Sequence, residues 1–426
     1  WQTYGIYQEK GLDAVANYDY KAALQESSLS IEKLKAYNKI WALVRKSNTQ
    51  YQKELKNYEQ VLPKVRGGLA WKAFLTNREA FKKAEASFNY SELIKYNTSA
   101  IKNLKEYNNL WQTVVNSTRA LEIEYKQLLP SFPAQRQDKL WKSYEKNRRQ
   151  YEEKIKSYQY DEARSLNVKA VKNLKDYASA CRAFIIAKAS YQLSYDYART
   201  AGFLKSTDNF SYPPKGTTEL ANRVRFYQRQ HALLKKKLGP KLISCSSASY
   251  SGAWSGYEFH GKGNFTCTGT QGKIKISTKQ SGTWNNGKLN GYGSKVYTNG
   301  DYTKSYTGYF KNGTYEGSGQ YKRKTSSSEI IWKGQFSNGF LTGTGSKIET
   351  FKDKSTITSK GSFVKGLLEG KGSEVHKAQY ASSHRTYEGE FKQGLYDGKG
   401  TYTSNTHTTE KYDYKKYNFT HKGSFK

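Results

Sequence analysis

The sequence predicts an α+β protein with two separate domains: an all-α solenoid of helical repeats, followed by a single-layer antiparallel sheet of stacked β-hairpins. Three observations predict this fold. Only seven of the 35 Gly residues precede residue 251, residues 1–210 repeat with a period of about 70, and residues 249–426 repeat a frame of glycines and aromatic side chains. Because Gly in a helix interior costs about 1 kcal/mol relative to Ala, helices suit the first part and not the second.

Composition sets the broad class of the protein. The chain has 426 residues, a formal net charge of +35 and 36% hydrophobic residues, which alone would suggest disorder. Aromatic residues make up 15%, however, and disordered chains lack such side chains because they supply buried surface. The length predicts two or three domains. No stretch approaches 18 uncharged apolar residues, so no transmembrane helix is expected.

Residues 1–210 contain three repeats that start near residues 1, 71 and 141, each at a Trp. Further columns recur at the same spacing: Tyr20, Tyr90 and Tyr160; Leu34, Leu104 and Leu174; Tyr37, Tyr107 and Tyr177; and Trp41, Trp111 and Cys181. Self-similarity at a fixed period is typical of stacked supersecondary units. Each repeat is therefore predicted to hold a first helix from the Trp, a turn at a Tyr-x-Tyr or Phe-x-Tyr pair, and one or two longer helices.

The aromatic stripe within each repeat has two interpretations. Leu34, Tyr37 and Trp41 step by three and four residues, as on one helix face, and such a stripe normally packs in a core. The alternative is an aromatic groove for bases or sugars. The tract at residues 88–93 resembles the turn and second helix of tetratricopeptide-type repeats, which implies stacked helical hairpins.

A linker and a basic helix are predicted over residues 211–248. The segment from Ala221 to Lys241 holds seven cations and no anion. These candidate binding residues are Arg223, Arg225, Arg229, Lys235, Lys236, Lys237 and Lys241. Such a helix suits an acidic protein surface, anionic lipid head groups or nucleic acid. The alternative is a capping helix with a solvated basic face.

A glycine and aromatic frame repeats in the last part of the chain. Residues 306–321 and 387–402 share the pattern aromatic-x-Gly-x-aromatic-x-x-Gly-x-x-x-Gly-x-Gly. Asn-Gly pairs inside the frame predict hairpin turns, because both residues tolerate positive φ. The later Gly-x-Gly predicts close approach of neighbouring hairpins, with an aromatic ring of the next repeat over bare backbone.

This frame resembles the MORN repeat (membrane occupation and recognition nexus), in six copies and the start of a seventh at Gly423. The structural positions of the repeat are Trp254, Trp284, Phe310, Phe336, Phe363, Phe391, Gly308, Gly317, Gly319, Gly389, Gly398 and Gly400. The resemblance implies an antiparallel sheet of stacked hairpins. It also implies contact with proteins or with phospholipids.

Reactive chemistry has little support in the sequence. Cys245 and Cys267 are candidates for a disulfide in an oxidising compartment, and the alternative is that both remain thiols, as Cys181 does. No CxxC, HExxH, GxSxG or phosphate-loop motif is present. We therefore expect no catalytic residue, no metal and no cofactor.

These features predict a non-enzymatic repeat scaffold that mediates protein–protein assembly or surface attachment, including self-association through an open edge strand. The alternative is binding of anionic surfaces, either phospholipid head groups or an acidic polymer, through the strong positive charge. An enzyme ranks third, and nucleic acid is an unlikely ligand because its recognition motifs are absent. The missing Met at residue 1, the few thiols and the Asn-x-Ser/Thr sequons predict an exported protein, extracellular, on the cell surface or periplasmic.

Overall fold

The computed structural model describes residues 2–129, 132–133, 136–205, 208, 210–211, 213–214, 217–379, 383–410 and 413–425, without the side chains of residues 406–419. Within these residues, seven α-helices precede an open antiparallel sheet, which confirms the predicted fold class. The helices are α1 (Gln2–Ala16), α2 (Tyr20–Glu59), α3 (Leu69–Ala86), α4 (Tyr90–Leu128), α5 (Lys139–Lys156), α6 (Tyr160–Thr200) and α7 (Leu220–Leu238).

By its contacts, the chain divides into two compact units. The first contains residues 1–124 and 143–172, and the second contains residues 125–142 and 173–426. The domain boundaries predicted at residues 210 and 248 stay predictions.

Each helical repeat consists of one short and one long helix joined by a tight turn. The turn residues Tyr18, Phe88 and Tyr158 have φ of 59°, 56° and 59°, at the same position of every repeat. The long helix begins two residues after each turn residue, and at the N-cap of α2 Asp19 Oδ1 accepts a hydrogen bond from the amide of Ala22 at 3.0 Å. An Asp at this N-cap satisfies one of the free amides of the first helical turn. The predicted helical repeats, and their turns, are thus confirmed.

Repeated side-chain contacts hold the helical repeats of the first compact unit together. Arg78 donates to Asn97 Oδ1 at 2.9 Å, and the Asn97 amide donates to Ser47 Oγ at 3.3 Å. The equivalents 70 residues later form the same bonds, from Arg148 to Asn167 at 3.2 Å and from Asn167 to Ser117 at 3.1 Å. The aromatic stripe is packed inside the protein, since Leu104 is 0% and Tyr107 is 1% exposed. This packing agrees with the core interpretation of the stripe.

The thirteen described strands pair in chain order, so that each strand is bonded to the one before it. We call this sheet the ribbon. Its strands are β1 (Ile243–Ser255), β2 (Glu258–Gln271), β3 (Ile274–Asn285), β4 (Lys288–Asn299), β5 (Tyr302–Lys311), β6 (Thr314–Thr325), β7 (Ser328–Ser337), β8 (Phe340–Phe351), β9 (Thr356–Val364), β10 (Leu367–Lys377), β11 (His384–Lys392), β12 (Leu395–Glu410) and β13 (Asp413–Phe425).

Two-residue turns connect the strands within each hairpin. In the β5–β6 turn, Asn312 and Gly313 have φ of 51° and 81°, which is the two-residue hairpin geometry that these residues favour. The amide of Gly313 also donates to the carbonyl oxygen of Leu289 in the preceding hairpin at 2.8 Å. Four other turns make the equivalent bond, from Gly287, Gly339, Gly366 and Gly394. The turn glycine therefore joins successive hairpins as well as reversing the chain.

A continuous row of glycines crosses the ribbon, one from every strand. Paired in register, the row consists of Gly252, Gly263, Gly282, Gly293, Gly308, Gly319, Gly334, Gly345, Gly361, Gly372, Gly389, Gly400 and Gly423. A Cβ built on Gly319 would lie 2.2 Å from the hydroxyl oxygen of Tyr306. Tyr306 belongs to the same hairpin as Gly319, so the prediction that the next repeat supplies the covering ring is wrong for this repeat. In this hairpin the short turn and the register bring its own ring over Gly319 instead, whereas Phe391 of the next repeat lies 3.3 Å from the Cβ position of Gly372, as predicted.

Candidate interaction surfaces

In the second compact unit, α6 and α7 contact the first hairpin of the ribbon. We call this region the junction, and its residues include Asp138, Lys188 and Ser194. The carboxylate of Asp138, which is 2% exposed, accepts from the amide of Leu140 at 2.8 Å and from the amide of Leu220 at 2.9 Å. One carboxylate thus caps the N-termini of both α5 and α7, where it also interacts favourably with the two helix dipoles.

Lys188 of α6 is a buried cation at the β1–β2 turn. Its Nζ donates to the carbonyl oxygen of Tyr257 at 3.0 Å and to Glu258 Oε2 at 2.5 Å. Burial lowers the pKa of Lys188, and the charge of Glu258 opposes that shift. A buried ammonium without such partners would be strongly unfavourable, so this ion pair ties α6 to the first hairpin.

The outer edge of β1 is covered by side chains of α6 and α7. Ser194 Oγ donates to the carbonyl oxygen of Ile243 at 2.8 Å and accepts from the amide of the same residue at 3.0 Å. Ser190 Oγ accepts from the amide of Cys245 at 2.9 Å, and His231 Nε2 lies 2.9 Å from the Ile243 oxygen. An edge strand exposes unpaired backbone groups that invite pairing with other chains, and here the groups of Ile243 and the amide of Cys245, at the start of β1, are satisfied.

The basic helix α7 buries one face and exposes its cations on the other. Leu220, Tyr227 and Leu234 are 0% exposed, and the Tyr227 ring packs 6.0 Å from that of Phe184 on α6. Six of the seven predicted cations are exposed: Arg225, Arg229, Lys235, Lys236, Lys237 and Lys241. We call Arg225, Arg229, Lys235 and Lys236 the α7 basic surface. The remaining two exposed cations contact other side chains. Lys237 Nζ lies 2.7 Å from Asp208 Oδ1, and Lys241 Nζ lies 4.8 Å from the centroid of the Phe203 ring.

Arg223 departs from the predicted basic patch, since it is only 7% exposed. Its guanidinium lies 3.8 Å from the ring centroid of Tyr257, and its Nε donates to the Thr217 carbonyl oxygen at 2.7 Å. The hydroxyl of Tyr257 in turn donates to the carbonyl oxygen of Thr218. Arg223 therefore packs α7 against the β1–β2 turn and is not available to a ligand at the surface.

The predicted structural positions of the MORN-like frame lie inside or along the ribbon. Five of the six aromatic residues are at most 3% exposed: Trp284, Phe310, Phe336, Phe363 and Phe391. Trp254, at the first hairpin, is half-buried against the Tyr250 ring at 5.3 Å. The predicted glycines are Gly308, Gly319, Gly389 and Gly400 in the glycine row, and Gly317 and Gly398 with positive φ. In the structure, Cys245 and Cys267 are joined by a disulfide, and Cys181 is a buried free thiol.

A second surface lies on one face of strands β4 to β6. Tyr297, Lys304 and Arg323 occupy successive paired positions, with Tyr302 and Tyr321 beside them. The Tyr297 and Tyr302 rings are 6.2 Å apart. We call these five residues the aromatic-cation patch. Short sequence motifs do not indicate its cations, because only the strand register brings Lys304 and Arg323 together.

Sequence reasoning also missed the residues of the junction. Asp138, Lys188 and Ser194 belong to no motif, and their partners lie 49 to 82 residues away in the chain. One feature of the sequence indicated that the contacts of the third helical repeat differ from those of the first two. Cys181 occupies the position that Trp41 and Trp111 occupy in those repeats. Burial of the Cys181 thiol raises its pKa to about 12, so it is an unreactive core residue.

Helical hairpins followed by an open ribbon of β-hairpins define a repeat protein, in which stacked units of one kind create the surfaces. The MORN repeat family model matches residues 250–269, 281–302, 306–328, 332–348, 360–376 and 387–409. Residues 250–409 are therefore MORN repeats, as the glycine and aromatic frame predicted. The start of a seventh copy at Gly423 stays a prediction. No curated protein matches the chain.

Neither a cluster of metal ligands nor a membrane-spanning helix is found among the described residues. Among them, no group of three or more His, Cys, Asp and Glu side chains is placed to hold a metal ion. None of the described helices is both long and apolar enough to span a bilayer. The α7 basic surface and the aromatic-cation patch each present cations that can engage a ligand.

Proposed function

We propose that the protein is a non-enzymatic repeat scaffold that mediates protein–protein assembly or attachment to a surface. The observation that carries this proposal is the ribbon of MORN repeats, a repeat type typical of non-enzymatic proteins that bind proteins or membranes. An open sheet of stacked hairpins presents a long row of side chains. Such surfaces suit extended partners better than small substrates.

The side chains on the ribbon favour a protein partner. Tyr292 and Tyr309 are 60% and 52% exposed, with ring centroids 5.6 Å apart. Tyr and Arg are enriched in protein interfaces because they supply rigid contact area together with a polar end. The exposed Tyr pair and the aromatic-cation patch give the ribbon this character.

Binding of anionic surfaces is the second candidate, and the α7 basic surface favours it. Its four cations are exposed on one helix, and the whole chain carries a formal charge of +35. Phospholipid head groups or an acidic polymer would be attracted by this charge. Contact with nucleic acid has no recognition motif to support it.

Self-association through a sheet edge belongs to the same proposal. The strand order puts β1 and β13 at the two edges of the described ribbon, and α6 and α7 satisfy outward groups of Ile243 and Cys245 at the start of β1. Edge pairing between copies is therefore proposed for β13, where no such bonds are seen in the described residues. Sedimentation velocity over a range of concentrations tests it, and a monomer at the highest concentration contradicts it.

Salt distinguishes the two candidates. We would recover what co-purifies with the native protein at about 50 and about 200 mM salt, because contacts driven by counterion release weaken steeply over this range. A scaffold built on an aromatic-centred interface keeps its protein partners at the higher salt. Recovery of anionic lipid or polymer alone, lost at the higher salt, with no protein partner retained, would contradict the scaffold proposal.

Export of the protein is also proposed, and the Cys245–Cys267 disulfide supports it. Disulfides persist in oxidising compartments and are rare in the cytosol. Cell fractionation with detection of the intact chain is the test. Recovery of the intact chain from the cytoplasm would overturn this part of the proposal.

A further inference from the structure

The aromatic-cation patch contains two like charges that face each other. Lys304 of β5 lies directly opposite Arg323 of β6 in the antiparallel register. Like charges at opposed positions destabilise a sheet, so this arrangement lowers the stability of the folded protein. Among the described residues, neither side chain forms an ion pair with a carboxylate, and the nearby Asp301 pairs with neither of them.

The register that opposes these two residues is built into the hairpin. From the turn, Lys311 pairs with Thr314 and Tyr309 with Glu316, but a bulge between Gly308 and Tyr309 shifts the pairing by two residues. Without that bulge, Lys304 would face Tyr321 and the two cations would be apart. The bulge at Gly308, a glycine of the repeated frame, therefore places the two cations opposite each other.

The ring of Tyr302 holds both cations in place. Lys304 Nζ lies 4.8 Å and Arg323 Cζ lies 5.6 Å from the ring centroid of Tyr302. Such contacts favour a cation over the face of the ring and limit its freedom to turn away. Burial and then the charge of Arg323 lower the pKa of Lys304, so its surroundings penalise its positive charge. An anion placed between the two side chains would relieve that penalty.

We infer that Lys304 and Arg323 form a binding site for the oxyanion of an acidic side chain on a protein partner. The carboxylate of an Asp or Glu accepts charge-assisted hydrogen bonds from both groups, and the Arg guanidinium matches its two oxygens. Tyr297 and Tyr321 flank the cations and supply the apolar area on which a peptide backbone packs. This inference rests on the proposed protein-binding function.

A short peptide of alternating Glu and Ala, carrying a fluorophore, is the probe, and its Gln and Ala counterpart is the uncharged control. Fluorescence anisotropy measures its Kd with the full chain and with Lys304→Gln and Arg323→Gln. Each substitution is expected to weaken binding about tenfold, because each removes a charge-assisted hydrogen bond. Lys304→Arg retains the charge and is expected to retain binding.

Lys333→Gln is the matched control, since Lys333 is exposed on β7 and its neighbour Trp332 pairs with Tyr321 on the patch face. It removes the same charge from the other face and is expected to leave the Kd unchanged. Thermal unfolding without peptide completes the test. Lys304→Gln is expected to raise the melting temperature or leave it unchanged, because it removes a repulsion, whereas a structural Lys would show a lower value.

Three results would overturn the inference. The first is an unchanged Kd for the peptide in both Gln variants. The second is a lower melting temperature of Lys304→Gln together with its loss of binding. The third is that the Gln substitutions weaken binding to phosphatidylserine vesicles but not to the peptide. If the Gln variants bind the peptide as tightly as the unaltered chain, while that chain retains protein partners at high salt, the inference fails and the scaffold proposal stands. If no protein partner is retained by the unaltered chain, the scaffold proposal itself fails.

Discussion

The glycine row leaves no space for a methyl group beneath the tyrosine rings that cover it. A Cβ on Gly319 would lie 2.2 Å from the hydroxyl oxygen and 2.5 Å from Cζ of Tyr306. Tyr306 is 0% exposed, and its ring stacks on that of Tyr315 at 3.9 Å, so it has no room to retreat. The same arrangement recurs with Tyr387 over Gly400. At these positions Gly is required for space.

Gly319→Ala is expected to lower the free energy of unfolding by about 2–3 kcal/mol, because the methyl group overpacks a ring that cannot move. Chemical denaturation followed by circular dichroism measures the change. Gly5→Ala on α1 is the control, since nothing lies within 4 Å of its Cβ position, and it is expected to cause no loss. Equal effects of the two substitutions would contradict the steric argument.

The buried tyrosines make the ribbon sensitive to alkali. Burial raises the pKa of Tyr250 to about 12 and that of Tyr306 to about 12, above the ordinary value near 10 in an unfolded chain. Because the folded pKa is the higher, their contribution to stability is complete below pH about 10 and is lost as the pH rises to about 12. We expect unfolding and tyrosinate absorbance to appear together in this range. Unchanged stability up to pH about 12 would contradict this.

At the scale of elements, the junction explains how the ribbon begins. Three residues of α6 form it: Lys188 binds the β1–β2 turn, while Ser194 satisfies the amide and carbonyl of Ile243 and Ser190 satisfies the amide of Cys245. The same helix is the long helix of the third helical repeat. Its side chains therefore fix the start of the first edge strand.

Ser194→Ala is expected to cost about 1–3 kcal/mol, because the amide of Ile243 loses its only side-chain partner among the described residues. Hydrogen exchange with mass spectrometry should show faster exchange at the start of β1. Ser179→Ala, on the exposed surface of the same helix beside Arg182, is the control and should leave exchange unchanged. Slow exchange at β1 in the Ser194 variant would argue against this covering role.

At the scale of the whole molecule, charge is the dominant feature. Lys and Arg number 71 against 36 Asp and Glu, and the excess is spread along the chain. Such an excess keeps a protein soluble but opposes compact folding through self-repulsion. Added salt screens that repulsion between exposed groups.

The melting temperature is expected to rise as NaCl increases from about 10 to about 150 mM, because the Debye length falls to about 8 Å over this range. Calorimetry measures the shift. A variant with Arg225, Arg229, Lys235 and Lys236 all changed to Gln should show a smaller rise, since it carries four fewer positive charges. A melting temperature that falls with salt would mean that attractive ion pairs outweigh the net repulsion.

Much of the architecture could be predicted because its determinants repeat in the sequence. The Trp and Tyr columns at a spacing of 70 located the helical repeats, and the Asn-Gly pairs located the hairpin turns, as at Asn312 and Gly313. Lys365 and Gln393 occupy the same turn position with φ of 51°. These two residues lack the preference of Asn for positive φ, so only the frame around them indicates the turn.

The sequence by itself determined which segments become helices and which become hairpins, because periodicity, turn residues and glycine content act over short distances along the chain. Only the tertiary structure decided that Arg223 packs inside, that Lys188 meets Glu258 seventy residues later, and that Lys304 faces Arg323. The physical reason is that burial and charge pairing depend on which surfaces meet, and a bulge of two residues is enough to change the partner.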